Sequence, residues 1–160
     1  MKIERIDSAL FEAMLARAEV SPRGRVNHNF HEGPEENPHR FLNVMKRGTY
    51  VTPHRHLDPP KSETFLVLRG EIAVFVFGDE GAIERCEVLS EPGKGGACGI
   101  DLSPGIWHSL VVLSEHAVCF EVKPGPYRAS NDKEFAPWAP PEGAPECAAY
   151  LESLVSRMDS

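Results

Sequence analysis

No apolar run in this 160-residue chain approaches the ~20 residues that a membrane-spanning helix needs. The N-terminal M-K-I-E-R-I-D holds no uninterrupted apolar stretch of the signal-peptide kind. Positive charge is in deficit: 17 Lys and Arg against 24 Asp and Glu give a net charge of −7, and no basic cluster stands out. Nucleic acid and anionic membranes are therefore not expected as partners. Cysteine is scarce and unpatterned. Cys86, Cys98, Cys119 and Cys147 form no CxxC pair, which fits reduced, buried thiols in a cytoplasmic protein better than a disulfide framework. Nor is there an internal repeat that would divide the chain. At 41% hydrophobic it is expected to be one globular domain with its own core.

What is present is a run of short β segments between two amphipathic ends. Asp7 or Ser8 can cap a helix whose Leu10, Phe11, Met14, Leu15 and Ala18 share one face, and Ser21-Pro22-Arg23-Gly24 ends it. Strands are expected near 40–46, 49–54, 63–69, 71–77, 82–90, 97–102, 106–113 and 117–123. Arg69-Gly70-Glu71 reads as a tight hairpin, and Gly78-Asp79-Glu80-Gly81 as a second reversal. After a proline-rich strap (Pro137, Pro140, Pro141, Pro145), Leu151, Leu154, Val155 and Met158 recur at helical spacing. Residues 1–24 thus form a helix and turn, 25–124 a β core, and 125–160 a strap and helix. Strands every eight to twelve residues without intervening helices predict an all-β sandwich or jelly roll with short N- and C-terminal helices.

One stretch carries chemistry. From Gly48 to Gly70 the chain reads G-T-Y-V-T-P-H-R-H-L-D-P-P-K-S-E-T-F-L-V-L-R-G. If residues 53–56 are extended, His54 and His56 lie two apart and project from one face of a sheet. Glu63 opens the next apolar strand, and His108 follows later in P-G-I-W-H. Imidazole nitrogens with one carboxylate oxygen suit a divalent transition metal such as Zn, Mn, Fe, Ni or Cu. Three histidines and a carboxylate leave one or two coordination positions open, as a catalytic site requires.

These residues resemble the cupin motif G(X)5HXH(X)3,4E(X)6G and its partner G(X)5PXG(X)2H(X)3N. Gly48, His54, His56, Glu63 and Gly70 match the first, with six residues rather than three or four between His56 and Glu63. Gly99, Pro104, Gly105 and His108 match the second in kind, with the proline and glycine adjacent and Val112 where asparagine is usual. With the early R-V-N-H-N-F-H segment and N-P-H-R-F-L-N-V, the whole chain resembles the WbuC-type cupin-fold metalloproteins, found among bacterial genes for O-antigen and other surface polysaccharides. The resemblance implies a cupin-type jelly-roll β-barrel or sandwich, and one divalent metal (Zn, Fe, Mn or Ni) on His54, His56, Glu63 and His108. It also implies a homodimer paired through edge strands, for which Phe41–Met45 and Ala117–Val122 are the apolar candidates.

Around that site, Tyr50 is the candidate proton donor, or else an inward core aromatic. Arg25 and Arg40 are candidates for gripping a carboxylate or phosphate. His28 and His31 either line the cavity mouth and bind an anionic ligand or belong to a polar strand. His39 and His116 have no supporting pattern and are expected to face solvent. Two function classes follow. One is a metal-dependent enzyme, isomerase- or dioxygenase-like, acting on a small polar molecule related to sugars or sugar nucleotides. The other is a non-catalytic ligand-binding or accessory module of a polysaccharide pathway.

Overall fold

The computed structural model describes residues 3–158; Met1 and Lys2 of the N-terminal segment read for targeting, with Asp159 and Ser160, lie outside the described residues. Its elements in chain order are α1 (Ser8–Val20), β1 (Arg25–Asn29), β2 (His39–Lys46), β3 (His54–Arg55), β4 (Glu63–Arg69), β5 (Glu71–Phe77), β6 (Ile83–Ser90), β7 (Gly99–Leu102), β8 (Trp107–Val112), β9 (His116–Lys123), β10 (Glu134–Phe135) and α2 (Cys147–Ser156). The strands form two five-stranded sheets with orders β1-β2-β9-β4-β7 and β10-β3-β8-β5-β6, and all paired strands are antiparallel. The architecture is a two-sheet sandwich, mostly β, with a short helix near each end.

Side-chain alternation explains its layers. In β5, Ile72 and Val74 point into the core between the sheets, while Ala73, Phe75 and Phe77 point outward against α2 and Trp138. In β2, Met45 faces the inter-sheet core, and Leu42 and Val44 face Met14 and Ala18 of α1. The central strands are thus apolar on both faces because each sheet is covered twice. Asp7 caps α1 as expected, its carboxylate accepting from Leu10 N at 3.1 Å. In α2, Leu151, Leu154 and Met158 pack inward. Val155, expected on the same stripe, is 41% exposed.

The polar end of the sandwich arises within the same alternation. The inward series run Glu63-Phe65-Val67 on β4, His108-Leu110-Val112 on β8, and Lys123-Glu121-Cys119-Ala117 on β9. Cross-strand register puts Phe65 opposite Glu121 and Val67 opposite Cys119. Each series is apolar at one end, where the core is, and ionisable at the other.

Four expectations are corrected. Arg69-Gly70-Glu71 is no hairpin, since β4 and β5 lie in different sheets and Gly70 is the corner between them. Its φ is +80°, and a Cβ there would lie 2.2 Å from His116 O, so the crossing requires glycine. Phe41–Met45 and Ala117–Val122 are not edges, because β2 and β9 pair with each other inside their sheet. The edges are β1, β7, β6 and β10. Of the expected 49–54 strand only His54 joins a ladder: Pro53 has no N–H to give, and Val51 O accepts from the Ser109 hydroxyl at 2.6 Å. Cys98 is exposed rather than buried, on the loop into β7, while Cys119 is buried.

The covered outer face of β2 generates a stability prediction. Leu42→Ala, at a fully buried position against α1, is expected to cost about 2–5 kcal/mol of unfolding free energy. Val88→Ala, at a position 42% exposed on β6, should stay within about 0.5 kcal/mol. Urea unfolding of both variants reads the difference, and a cost below about 1 kcal/mol for Leu42→Ala would contradict the packing of α1 on this sheet.

Candidate metal centre

His54 and His108 are directly paired across β3 and β8 in one sheet; His56 follows β3, and Glu63 opens β4 in the other sheet. One ligand atom from each of the four lies within 4.8 Å of the others, and all four residues are buried. The cluster therefore bridges the two sheets at the polar end of the sandwich.

Hydrogen bonds aim the imidazoles. His54 Nδ1 is 2.9 Å from Thr52 O, and His108 Nδ1 is 2.9 Å from Ile106 O. His56 Nδ1 bonds to Asp132 O. A carbonyl oxygen only accepts, so these partners assign the proton to Nδ1 in each ring and leave Nε2 with a lone pair. The Nε2 atoms of His54 and His56 are buried without a hydrogen-bond partner. His108 Nε2 stands 2.9 Å from Glu63 Oε2, and His56 Nε2 stands 3.5 Å from the same oxygen. Lone pairs facing a carboxylate at these distances call for a cation among them. Metal–ligand bonds of about 2.0–2.2 Å hold neighbouring donors roughly 3–3.5 Å apart, so the residues fit a divalent ion.

The protonation states point the same way. Burial holds His54 well below the ordinary histidine range, and the Lys133 charge adds to this, so the ring is a neutral ligand. Burial alone would raise Glu63. The hydrogen bond from Glu121, with the His108 and His56 contacts and the Lys123 charge, instead holds it well below the usual carboxylate range. Burial and then the Glu63 charge push Glu121 well above that range. The pair thus shares one proton, carried by Glu121 and donated to an ionised Glu63.

A second buried network supports the first. Asp132 accepts from Lys61 Nζ at 2.8 Å and from Lys123 Nζ at 3.3 Å, and Lys123 Nζ also lies 3.7 Å from Glu63 Oε1. Lys61 belongs to the six residues between His56 and Glu63, and Asp132 to the strap. The long spacing therefore supplies an ammonium that ties the strap down where its Asp132 carbonyl holds His56. Lys61, Glu121, Lys123 and Asp132 were not singled out from the sequence. The available signal was parity: Glu121 and Lys123 fall on the inward positions of an otherwise apolar β9.

A cavity of about 690 Å³ opens beside the cluster, with His54, Thr52, Glu121, Lys123 and Lys133 in its wall. Of the candidate substrate residues, Arg25 and His31 line it. Arg25 is held there by Tyr50 O at 2.8 Å and by Glu142 at 2.8 Å. His28 and Arg40 do not line it: His28 faces outward to Glu4, and Arg40 pairs with Glu36. Tyr50 is also off the wall. Its hydroxyl donates to Pro140 O at 2.7 Å, burial pushes its pKa up, and its ring packs against Tyr150, so it anchors the strap instead. His39, expected in solvent, is 4% exposed and stacks on His31 with ring centroids 4.1 Å apart. The half-buried His116 bonds to Glu19 on the surface.

The fold is shared with solved structures. The chain is similar to the capsular polysaccharide assembling protein CapF from Staphylococcus aureus, with TM-score 0.56 and 19% identity over 72% of this chain and 30% of CapF. It is also similar to KdgF from Halomonas sp., with TM-score 0.51 and 19% identity over 69% of this chain and 86% of KdgF. SO0799 from Shewanella oneidensis aligns with TM-score 0.60 and 11% identity, covering 89% of this chain and 95% of that one. The chain spans under a third of CapF's length. Identities this low bear on fold alone, and the fold is of cupin type, here with a buried His54/His56/Glu63/His108 cluster that could hold a metal ion. A family model described as a domain of unknown function, DUF6016, matches residues 6–89, more than half of the chain, and the chain belongs to that family. A search of curated proteins finds no match. No described helix is long and apolar enough to cross a membrane.

The strap clamp generates the second prediction. Asp132→Asn leaves two buried ammonium groups short of a counter-charge and is expected to cost about 3–5 kcal/mol at pH 7. Burial opposes ionisation of Asp132, but Lys123 and Lys61 hold its pKa below the ordinary value. Its contribution is therefore present above the unfolded value of about 3.9 and lost as pH falls through the lower folded one. Urea unfolding at pH 7 and again near pH 3 should show the gap between wild type and variant narrowing in acid; a gap independent of pH would refute the clamp.

Proposed function

We propose that this protein is a metal-dependent cupin enzyme acting on a small polar molecule, sugar-related, in bacterial surface polysaccharide metabolism. The observation that carries the metal reading is the set of three imidazoles whose Nδ1 atoms are spent on backbone carbonyls while their Nε2 atoms converge, buried, on the Glu63 carboxylate. His54, His56, Glu63 and His108 would hold one divalent ion. Bound there, it supplies Lewis acidity toward a carbonyl or hydroxyl oxygen. The chain's own residues do the remaining work. Glu121 keeps its own proton and donates it in a hydrogen bond to the ionised Glu63, the Asp132 carbonyl fixes the tautomer of His56, and the cavity beside His54 admits a ligand of small-molecule size. The polysaccharide context rests on the sequence resemblance, with the fold likeness to a capsular polysaccharide assembling protein in support.

The second reading, a non-catalytic ligand-binding module of the same pathway, is favoured by one feature. The cavity wall carries several cation–anion pairs that already satisfy each other, such as Arg25 with Glu142, as a binding pocket needs no reactive group. Turnover of a bound ligand separates the two readings.

Elemental analysis of protein purified without chelator or metal-binding tag tests the proposal. Near-stoichiometric divalent metal is expected in the wild type. The His54→Ala/His56→Ala double variant should lose at least nine-tenths of it, roughly a tenfold or greater fall in affinity. Full occupancy in the double variant, or a wild type that takes up no Zn, Fe, Mn or Ni on reconstitution, would overturn the assignment.

A further inference from the structure

The cations around the cavity are not alike. Arg23 bonds to Glu142 at 2.7 Å, Arg25 to the same carboxylate at 2.8 Å, and Lys123 to Asp132 at 3.3 Å. Lys133 is the exception: among the described residues, no carboxylate lies within ion-pairing distance of its ammonium and it makes no side-chain hydrogen bond. It lines the large cavity and also a recess of about 30 Å³ that borders His54, Glu63 and His108. Asn43 lines both spaces too, and its Oδ1 is buried without a hydrogen-bond partner. An unpaired cation and an unsatisfied amide therefore face the same space next to the four-residue cluster. Glu63 and Asp132 act on it only from beyond contact range, and a partly buried ammonium with no contacting partner is costly unless something complementary enters.

We propose that Lys133 is the anchor of an anion subsite, which receives the carboxylate of a small hydroxylated acid bound in the cavity. The inference builds on the metal-centre reading, to which it adds the substrate class. Three observations select this ligand. One free ammonium matches one negative charge. A dianionic phosphate would need several donors, yet both wall arginines are committed to Glu142, and it would face Glu121 and Asp132 across the cavity. The wall is otherwise rich in amides and imidazoles such as Asn27, Asn29 and His31, which suit hydroxyl groups. At the same cavity, Phe135 is 60% exposed and Tyr127 44%, apolar ring faces against which the carbon skeleton of such an acid can lie. Lys133 sits beside Asp132 on the strap, so the segment that orients His56 also presents the ligand's counter-charge.

Calorimetric titration with D-gluconate, D-glucose and inorganic phosphate tests this, on metal-free and metal-loaded protein, in the wild type, Lys133→Met and Lys133→Arg. Gluconate is expected to bind the wild type, with affinity about tenfold or more weaker in Lys133→Met and largely kept in Lys133→Arg. Metal content at saturating metal should be kept, and the unfolding midpoint should not fall, in either variant, because Lys133 makes no ion pair or hydrogen bond to lose. Equal gluconate affinity in wild type and Lys133→Met would overturn the subsite. So would glucose or phosphate binding as tightly as gluconate, or no saturable gluconate binding by the wild type. The two readings fail separately. A Lys133-dependent gluconate affinity in metal-free protein supports the subsite even if the His54→Ala/His56→Ala variant refutes the metal centre.

Discussion

An ionised carboxylate and three imidazoles are buried together between two sheets, and much of the architecture at that end of the molecule satisfies them. Each buried polar atom left without a partner costs about 1–3 kcal/mol. Three backbone carbonyls take the Nδ1 protons. Glu121 and Lys123 then compensate the charge of Glu63, and Asp132 takes both Lys123 and Lys61 as partners. The chain of compensation stops at the Nε2 atoms of His54 and His56, which no protein group satisfies. Two convergent lone pairs left open beside an ionised carboxylate suit a cation.

The same requirement explains why a chain with a well-formed sandwich needs its strap. One carbonyl of the site, at Asp132, comes from outside the two large strand ladders. It is held by β10 pairing to β3, by the Arg55–Glu134 ion pair at 2.8 Å, and by the Lys61–Asp132 contact. Farther along, Tyr50 and Trp138 fasten the strap to the sandwich before α2 closes over Phe75 and Phe77. The exposed Arg55–Glu134 pair contributes little by itself. The buried Lys61–Asp132 contact, cut off from water, is the part whose loss the site would register.

Much of this was legible in the sequence, and the boundary of legibility is physical. Period-2 alternation located β2, β4, β5, β6, β8 and β9 nearly to the residue, and helical spacing located α1 and α2. His-x-His projects to one face in any extended strand, so the two histidines were readable from local geometry. Glu63 at the start of the next apolar strand and His108 in P-G-I-W-H were read beside them as further ligand types, and the motif resemblance joined the four. Which strand joins which sheet was not local information, so Gly70 read as a hairpin where it is a corner, and β2 and β9 read as edges where they are central. Glu121 and Lys123 on β9 drew no attention, because a lone ionisable residue usually lies at the surface. Only the register that sets Glu121 opposite Phe65 shows it facing inward. Tyr50 follows its other reading, an inward aromatic: close in sequence to the histidines, it is buried and faces the strap once Pro53 ends the ladder.

Charge at the cavity narrows the chemistry further. The cluster contributes one carboxylate and three neutral rings, so a divalent ion there would keep a net positive charge and attract an anionic or oxygen-rich ligand. The cavity borders the cluster through His54, so that charge would be felt inside it. The two wall arginines share one carboxylate, Glu142, and Lys123 pairs with Asp132, so these cations are engaged though not fully neutralised. Selection among polar molecules then falls to what remains unpaired: the open lone pairs of the cluster, the Asn43 amide and the Lys133 ammonium. A closed structural metal site would leave no such groups facing a cavity of small-molecule size. Fold cannot decide between catalysis and binding on this scaffold. A molecule that satisfied all of the unpaired groups at once would be brought against the four-residue cluster.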